Sequence, residues 1–467
     1  MRKSAKQRKA ELKQARQKKQ ELDAEDPYKD IRVTETGQTV RRVHTIKANE
    51  RAFMRFIPEE AFEVDVRKKE GTEVPFSPSP SSSIVRMYLD PEHTPAIPSR
   101  PNWSYDMTKE ELVKNETDSF RRWLHQFGVY EEGQEIDYDA QPALPAAEFN
   151  FFETNLEVWR QLWRTVERAD VVVIIVDARF PIAQLPRNLY TYVCEEINKP
   201  AICILNKADL IEPKYFKEWV RVLKQLYPNL LEVIPFNAFD VVDGRKQATY
   251  EDGEELLHTI IEIAQSHHIQ PNPLKKKDGE PAELEFGFVG HPSVGKSSVM
   301  NSVIGSKKVS VKRTPGHTKH FQTHHIVNRG DKVVVCDCPG LVIPVRGMPR
   351  ALQVITGVYP LGRVREFYSS IRLAVELVLG SWAELREGFL ANLTRLAGAE
   401  FSKSFAEQAD SGEFTITPYD LIAAVAEQKG MMTKGGRPDV HRAGRIVLQE
   451  VVDGIIYVFI RPEWVAQ

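Results

Sequence analysis

Gly290-His291-Pro292-Ser293-Val294-Gly295-Lys296-Ser297 matches GxxxxGK[ST] at every required position. An apolar, strand-like run precedes it at 284–289, and a helix-forming stretch follows at 298–304. That is the strand–loop–helix context in which this pattern cradles a phosphate. Gly290 and Gly295 let the backbone wrap closely. The N–H groups of His291, Pro292's neighbours, Ser293 and Val294, together with the helix N-terminus, supply positive potential. Lys296 is placed to reach β- and γ-phosphates, the Ser297 hydroxyl to ligate Mg²⁺, and Ser298 to continue the binding turn. The stretch predicts an α/β nucleotide-binding fold.

Working outward, Asp337-Cys338-Pro339-Gly340 closes the strand-like run 332–336. In this DxxG, Asp337 is expected to hold Mg²⁺ through water. Pro339 shapes the turn, and the Gly340 N–H senses the γ-phosphate. Upstream, Asn206-Lys207-Ala208-Asp209 ends a second apolar run, 201–205. An NKxD at a strand end can read guanine. The Asp209 carboxylate accepts both N1–H and the exocyclic amine, Asn206 bonds N7, and the Lys207 stem lies on the base. Asn237-Ala238 ends the next run, where the Ala238 N–H is expected to contact guanine O6.

The base-reading motifs precede the phosphate loop. Strand ends can meet in space whatever their order, so a rotated order can still build one pocket. In this respect the chain resembles the circularly permuted GTPases, whose members mainly act in ribosome assembly. Asp177-Ala178-Arg179-Phe180-Pro181 resembles that group's DARxP segment. Arg313-Thr314-Pro315-Gly316-His317-Thr318 resembles its switch, in which Thr318 would ligate Mg²⁺ in the GTP state. Within the group, the likeness is strongest to the guanine nucleotide-binding protein-like 1 family. It is carried by Arg100-Pro101-Asn102-Trp103-Ser104-Tyr105, the helix-like segment from Asn155 to Arg164, Gly357-Val358-Tyr359-Pro360 and Asp439-Val440-His441-Arg442-Ala443.

The resemblance implies GTP and GDP as ligands, Mg²⁺ as cofactor, and Lys296, Thr318 and Gly340 as the groups acting on the γ-phosphate. Two departures bear on rate. Leu341 follows Gly340 where other GTPases carry Gln, a hydrophobic replacement that the permuted group shares, so no side chain there can orient the attacking water. Many relatives also carry an Asn in the phosphate loop that helps hold K⁺, and Ser293 stands in its place. A slow GTPase switch is expected, the alternative being a GTP-binding scaffold with negligible hydrolysis. A P-loop ATPase or nucleotide kinase is disfavoured by Asn206 and Asp209. His317, His320, His324 and His325 read as solvated strand and loop residues rather than metal ligands.

The rest of the chain sets the frame. Its 467 residues are 42% hydrophobic and 27% charged, with a net charge of −2 and 4 cysteines. That is a globular composition without a disulfide scaffold or zinc pattern, and it suggests a reducing compartment, nuclear, nucleolar or cytoplasmic. The longest apolar run, 171–176, is far short of a membrane span. The neutral total hides a basic arm: Arg2, Lys3, Lys6, Arg8, Lys9, Lys13, Arg16, Lys18 and Lys19 against Glu11 alone. Such an arm suits RNA or a ribosomal precursor particle, not DNA sequence reading. A monomer is expected.

Residues 71–105, rich in Pro and Ser, read as a linker or strap that Trp103 and Tyr105 could anchor. Residues 108–127 read as a helix with a Thr108/Glu111 capping box. Domains are expected at 1–25 (basic arm), 26–148 (extension), 149–345 (permuted GTPase domain, mostly parallel sheet with helices on both faces) and 346–467 (helical). In the last, Thr417, Pro418, Asp420 and Gly430 punctuate one helix.

Overall fold

The computed structural model describes residues 44–46, 61–77, 95–131, 144, 149–242, 245–248, 250–272, 282–305 and 322–465. The basic arm and the segment holding Thr318, His317 and His320 lie outside these residues. The chain divides into two units, one formed by residues 1–50 and 113–147, the other by 51–112 and 148–467. In the first, His44–Ile46 pairs in parallel with Val129–Glu131. Trp123 packs there between Phe120 and Phe127, with ring centroids 5.4 and 5.1 Å away.

The second unit is built on a six-stranded sheet. In chain order its strands are β1 (Val171–Asp177), β2 (Ala201–Asn206), β3 (Leu230–Phe236), β4 (Leu284–Gly290), β5 (Gln322–Asn328) and β6 (Asp331–Asp337). Their spatial order is β3-β2-β1-β4-β6-β5. All neighbours are parallel except β5, which runs antiparallel at the edge beside β6. Every residue of β1 is buried, as a strand covered on both faces requires.

Val171, Val173, Ile175, Phe286 and Phe288 face one way and pack against Leu257, Ile260 and Ile261 of one helix and Val299 and Met300 of another. These are α5 (Tyr250–Ser266) and α6 (Lys296–Ile304), counting from α1 (Ala61–Glu73), α2 (Lys109–His125), α3 (Leu156–Arg168) and α4 (Pro213–Leu226). The opposite face receives α3. A Cβ on Gly287 would lie 2.9 Å from Thr165 and Ala169, so glycine sets how closely that helix seats. Trp159 and Trp163 are fully buried in the core of α3, as its helical spacing predicts.

Beyond the sheet lie α7 (Tyr368–Leu379), α8 (Trp382–Ala397), α9 (Ala399–Ser411), α10 (Pro418–Gln428) and α11 (Val440–Val452). Helix α10 begins with the expected capping box. The Asp420 N–H donates to Thr417 Oγ1 at 3.2 Å, and the Thr417 N–H donates back to Asp420 Oδ2 at 2.9 Å. Thr108 and Glu111 form the equivalent pair ahead of α2.

The proline-rich segment departs from expectation. Residues 71–73 belong to α1, and Phe76 is buried against Phe405, centroids 6.0 Å apart. Tyr105 is 93% exposed and anchors nothing. The strap is held instead by buried Ile97, by Trp163 Nε1 donating to the Pro98 carbonyl at 2.6 Å, and by Asn188 Nδ2 donating to the Pro95 carbonyl at 3.0 Å.

Candidate functional site

Parallel strands bring chemistry to one edge, the rim beyond their C-terminal ends. The register fixes which residues meet there: Asp177 lies opposite Asn206, Asn206 opposite Phe236, Ile175 opposite Gly290, and Asp337 opposite Phe288. The Asn206–Asp209 loop, the Asn237-Ala238 turn, the phosphate loop and DxxG thus emerge side by side although their order in the chain is rotated.

The phosphate loop needs its glycines. A Cβ on Gly290 would lie 2.5 Å from the Ile175 carbonyl oxygen. Gly295 has φ +91°, and a Cβ there would meet Asn206 Nδ2 at 2.2 Å. Ser293, exposed, also adopts the left-handed region at φ 66°. Asn206 Nδ2 donates to the Val294 carbonyl at 2.8 Å, so this Asn braces the loop, while its Oδ1 is buried without a partner. Lys207 stands at φ 60° and donates to Asp177 Oδ2 at 2.7 Å and to the Ser293 carbonyl at 2.9 Å. Its stem is a strut from the base loop to the phosphate loop. Asp209 is exposed at the mouth. Asn237 Oδ1 accepts the Phe239 N–H at 3.3 Å, and Ala238 is buried behind it.

At the phosphate end, Lys296 is buried and ion-paired with fully buried Asp337 Oδ1. Asp337 Oδ2 has no hydrogen-bond partner. A cation donor and an orphaned carboxylate oxygen side by side, with half-buried Ser297 on the first turn of α6, fit a phosphate and a divalent ion. Pro339 is buried, and Gly340 lies against Pro292, where a Cβ would come within 3.1 Å of its backbone. The Leu341 N–H donates to the Gly290 carbonyl at 3.2 Å, and the Leu341 side chain is buried. Ser298 is buried, its N–H donating to the Gly295 carbonyl at 2.9 Å. Buried His291 has no partner on either ring nitrogen, and burial lowers its pKa to about 4. His325 is exposed beside Glu283 at 2.9 Å, and no cluster of metal-ligating side chains occurs among the described residues.

Several neighbours of the site were not named as such by the motifs. Gly357, φ +73°, presses on the phosphate loop: a Cβ there would lie 2.7 Å from Ser293 Cβ. Gly454 similarly meets Leu210, just past the base-reading loop, at 2.4 Å. Buried Arg179 binds both oxygens of Asp177 and two carbonyls at the end of α11. Only Arg179 and Gly357 carried a sequence signal, as parts of longer family-like segments. After Gly340, the chain is clasped by residues 149–153: Glu153 N–H donates to the Val342 carbonyl, and Asn150 Nδ2 to that of Ile343, both at 2.9 Å.

Residues 285–375 match the family described as 50S ribosome-binding GTPase. The chain is 28% identical to guanine nucleotide-binding protein-like 1 of Mus musculus over 464 residues, covering 86% of this chain and 71% of the relative. It is 32% identical over 388 residues to Large subunit GTPase 1 of Saccharomyces cerevisiae, covering 78% and 57%. Among solved structures, GNP-bound YlqF from T. maritima aligns with 65% of this chain and 98% of its own at 22% identity and a TM-score of 0.39.

Proposed function

We propose that this chain, which belongs to the circularly permuted GTPases, is a slow guanine-nucleotide switch that acts on a precursor of the large ribosomal subunit, in the nucleus, nucleolus or cytoplasm. Asp209 and Asn206 read guanine, the Ala238 N–H contacts O6, and residues 290–298 hold the phosphates. Ser297, Asp337 and Thr318 hold Mg²⁺, which when bound would neutralise charge on the β- and γ-phosphates. Lys296 would exchange Asp337 for the γ-phosphate and stabilise charge developing during water attack. The Gly340 N–H would sense the γ-phosphate.

The observation that carries slowness is Leu341. It is 3% exposed and apolar where a water-orienting side chain would stand. A partner, a cation or another residue would complete the site, and we favour a partner. The names of the matched family and of the yeast relative support a ribosomal one. So does a cationic surface: Lys429, Lys434, Arg437, Arg442 and Arg445 are all exposed, and none is ion-paired among the described residues. Lys434 and Arg437 lie in a tight hairpin, closed by the Thr433 N–H donating to the Arg437 carbonyl at 2.8 Å, and the other three stand beside it, where they would face phosphate backbones.

The test is single-turnover GTP hydrolysis with and without purified large-subunit precursor particles. Stimulation of tenfold or more is expected. Tight GTP binding with no stimulation by any particle would favour the scaffold reading.

A further inference from the structure

The Asp177 carboxylate at the end of β1 is fully buried and is held by two cations. Arg179 grips both oxygens, Nε to Oδ1 at 3.0 Å and Nη2 to Oδ2 at 2.8 Å. Lys207 Nζ takes the same Oδ2 at 2.7 Å. Burial alone would push this carboxyl up, but the two cations outweigh it and hold it well below the usual range, so it stays ionised.

The remaining Arg179 donors leave the nucleotide-binding rim. Nη1 donates to the Val451 carbonyl at 2.8 Å and Nη2 to that of Val452 at 3.0 Å, capping the last turn of α11. The Arg179 carbonyl accepts the Ile460 N–H at 2.9 Å. The guanidinium has no solvent face, being 1% exposed. A planar fork can satisfy a carboxylate on one edge and two carbonyls on another at once. A lysine ammonium, a point charge with three donors, cannot.

We infer that Arg179 is a positioning residue for the guanine site: it fixes the Asp177 carboxylate in the orientation that holds the Lys207 strut, and ties that orientation to the docked end of α11. The inference rests on reading Asn206-Lys207-Ala208-Asp209 as the base reader. An Arg–Asp pair serving stability alone would need no second cation on the same oxygen, and Lys207 would need no second tether to the phosphate loop. Here one carboxylate oxygen is shared by the residue expected to lie on the base and the residue that caps a helix far along the chain.

The experiment is a double-variant cycle on the full chain with Arg179→Lys, Lys207→Met and the pair. Two readouts are taken: affinity for a fluorescent GDP, and the thermal midpoint without nucleotide. Each single variant is expected to weaken GDP about tenfold or more. The double variant should bind no more weakly than the worse single one, since both changes break the same strut. The midpoint lost through Arg179→Lys should be the same in both backgrounds.

Multiplying affinity losses, or an Arg179→Lys variant that loses midpoint but keeps GDP affinity within twofold, would reduce Arg179 to a structural pair and overturn the inference. If Arg179→Lys does not fold, Asp177→Asn, which preserves shape, completes the same cycle with Lys207→Met. Asp209→Asn, measured alongside, tests the underlying reading separately. If it keeps full guanine preference, the base-reader assignment fails. If it shifts preference to xanthine nucleotides while the Arg179 and Lys207 losses multiply, only the present inference fails.

Discussion

His291 sits in the phosphate loop with both ring nitrogens buried and unpartnered. Burial lowers its pKa to about 4, against roughly 6.5 in an unfolded chain. Between those values the unfolded chain binds a proton that the folded chain refuses. Stability therefore falls as pH drops from about 6.5 toward 4, by up to about 1.4 kcal/mol per pH unit from this group. Denaturant titrations from pH 7.5 to 4.5 should show a steeper loss for the natural chain than for His291→Asn; equal slopes would mean that the ring finds water or a partner. The pair Lys296–Asp337 makes a second case. Lys296→Ala should abolish micromolar GTP binding and also cost stability, on the order of 3 kcal/mol, because it strands a buried carboxylate. Asp337→Asn in that background should restore the midpoint but not the binding, which thermal melts and nucleotide titration would separate. The motif spelled out Lys296 and Asp337 individually. That they hold each other was not legible, because the pattern describes residues as they meet a ligand.

Among the elements, the strands of the sheet were readable because parallel strands covered on both faces must be apolar along their length, and β1 and β2 are, up to the Asp177 and Asn206 that end them. Their ends were readable because motif residues sit there. The strap was legible but its anchors were not, because they are not the conspicuous aromatics Trp103 and Tyr105. Proline carbonyls at 95 and 98 accept from Asn188 and Trp163, and a carbonyl carries no side-chain signature. The pressure of Gly357 on the phosphate loop was invisible for a similar reason: a glycine shows nothing of what it makes room for. It also yields a prediction. Gly357→Ala must take up φ +73° at a cost of about 1–2 kcal/mol and place a methyl 2.7 Å from Ser293 Cβ. GDP affinity should fall at least tenfold although the residue lies outside every nucleotide motif. An unchanged Kd from fluorescent-nucleotide titration would show that the loop yields freely.

At the scale of the whole molecule, charge and order matter more than any one contact. If the exposed cations around α11 meet RNA phosphates, binding to a ribosomal RNA fragment should weaken steeply with salt. Changing Lys434, Arg437, Arg442 and Arg445 to Gln should then flatten the log–log slope by up to about 0.7 per lost contact on single strands, leaving GDP affinity unchanged. Deleting residues 1–20 gives the same measurement for the basic arm. A slope untouched by both would remove electrostatics as the source of partner affinity. The sheet order β3-β2-β1-β4-β6-β5 has a separate consequence, for how the chain is made. β1 and β2 leave the synthesising ribosome roughly a hundred residues before β4, which at about 5–20 residues per second is a wait of roughly 5 to 20 s. Throughout that interval one long edge of β1, apolar from Val171 to Val176, has no strand beside it. In the nascent chain that half of the sheet therefore keeps one edge unpaired until residues 284–290 emerge, which makes the translation of residues 178–283 its most aggregation-prone interval.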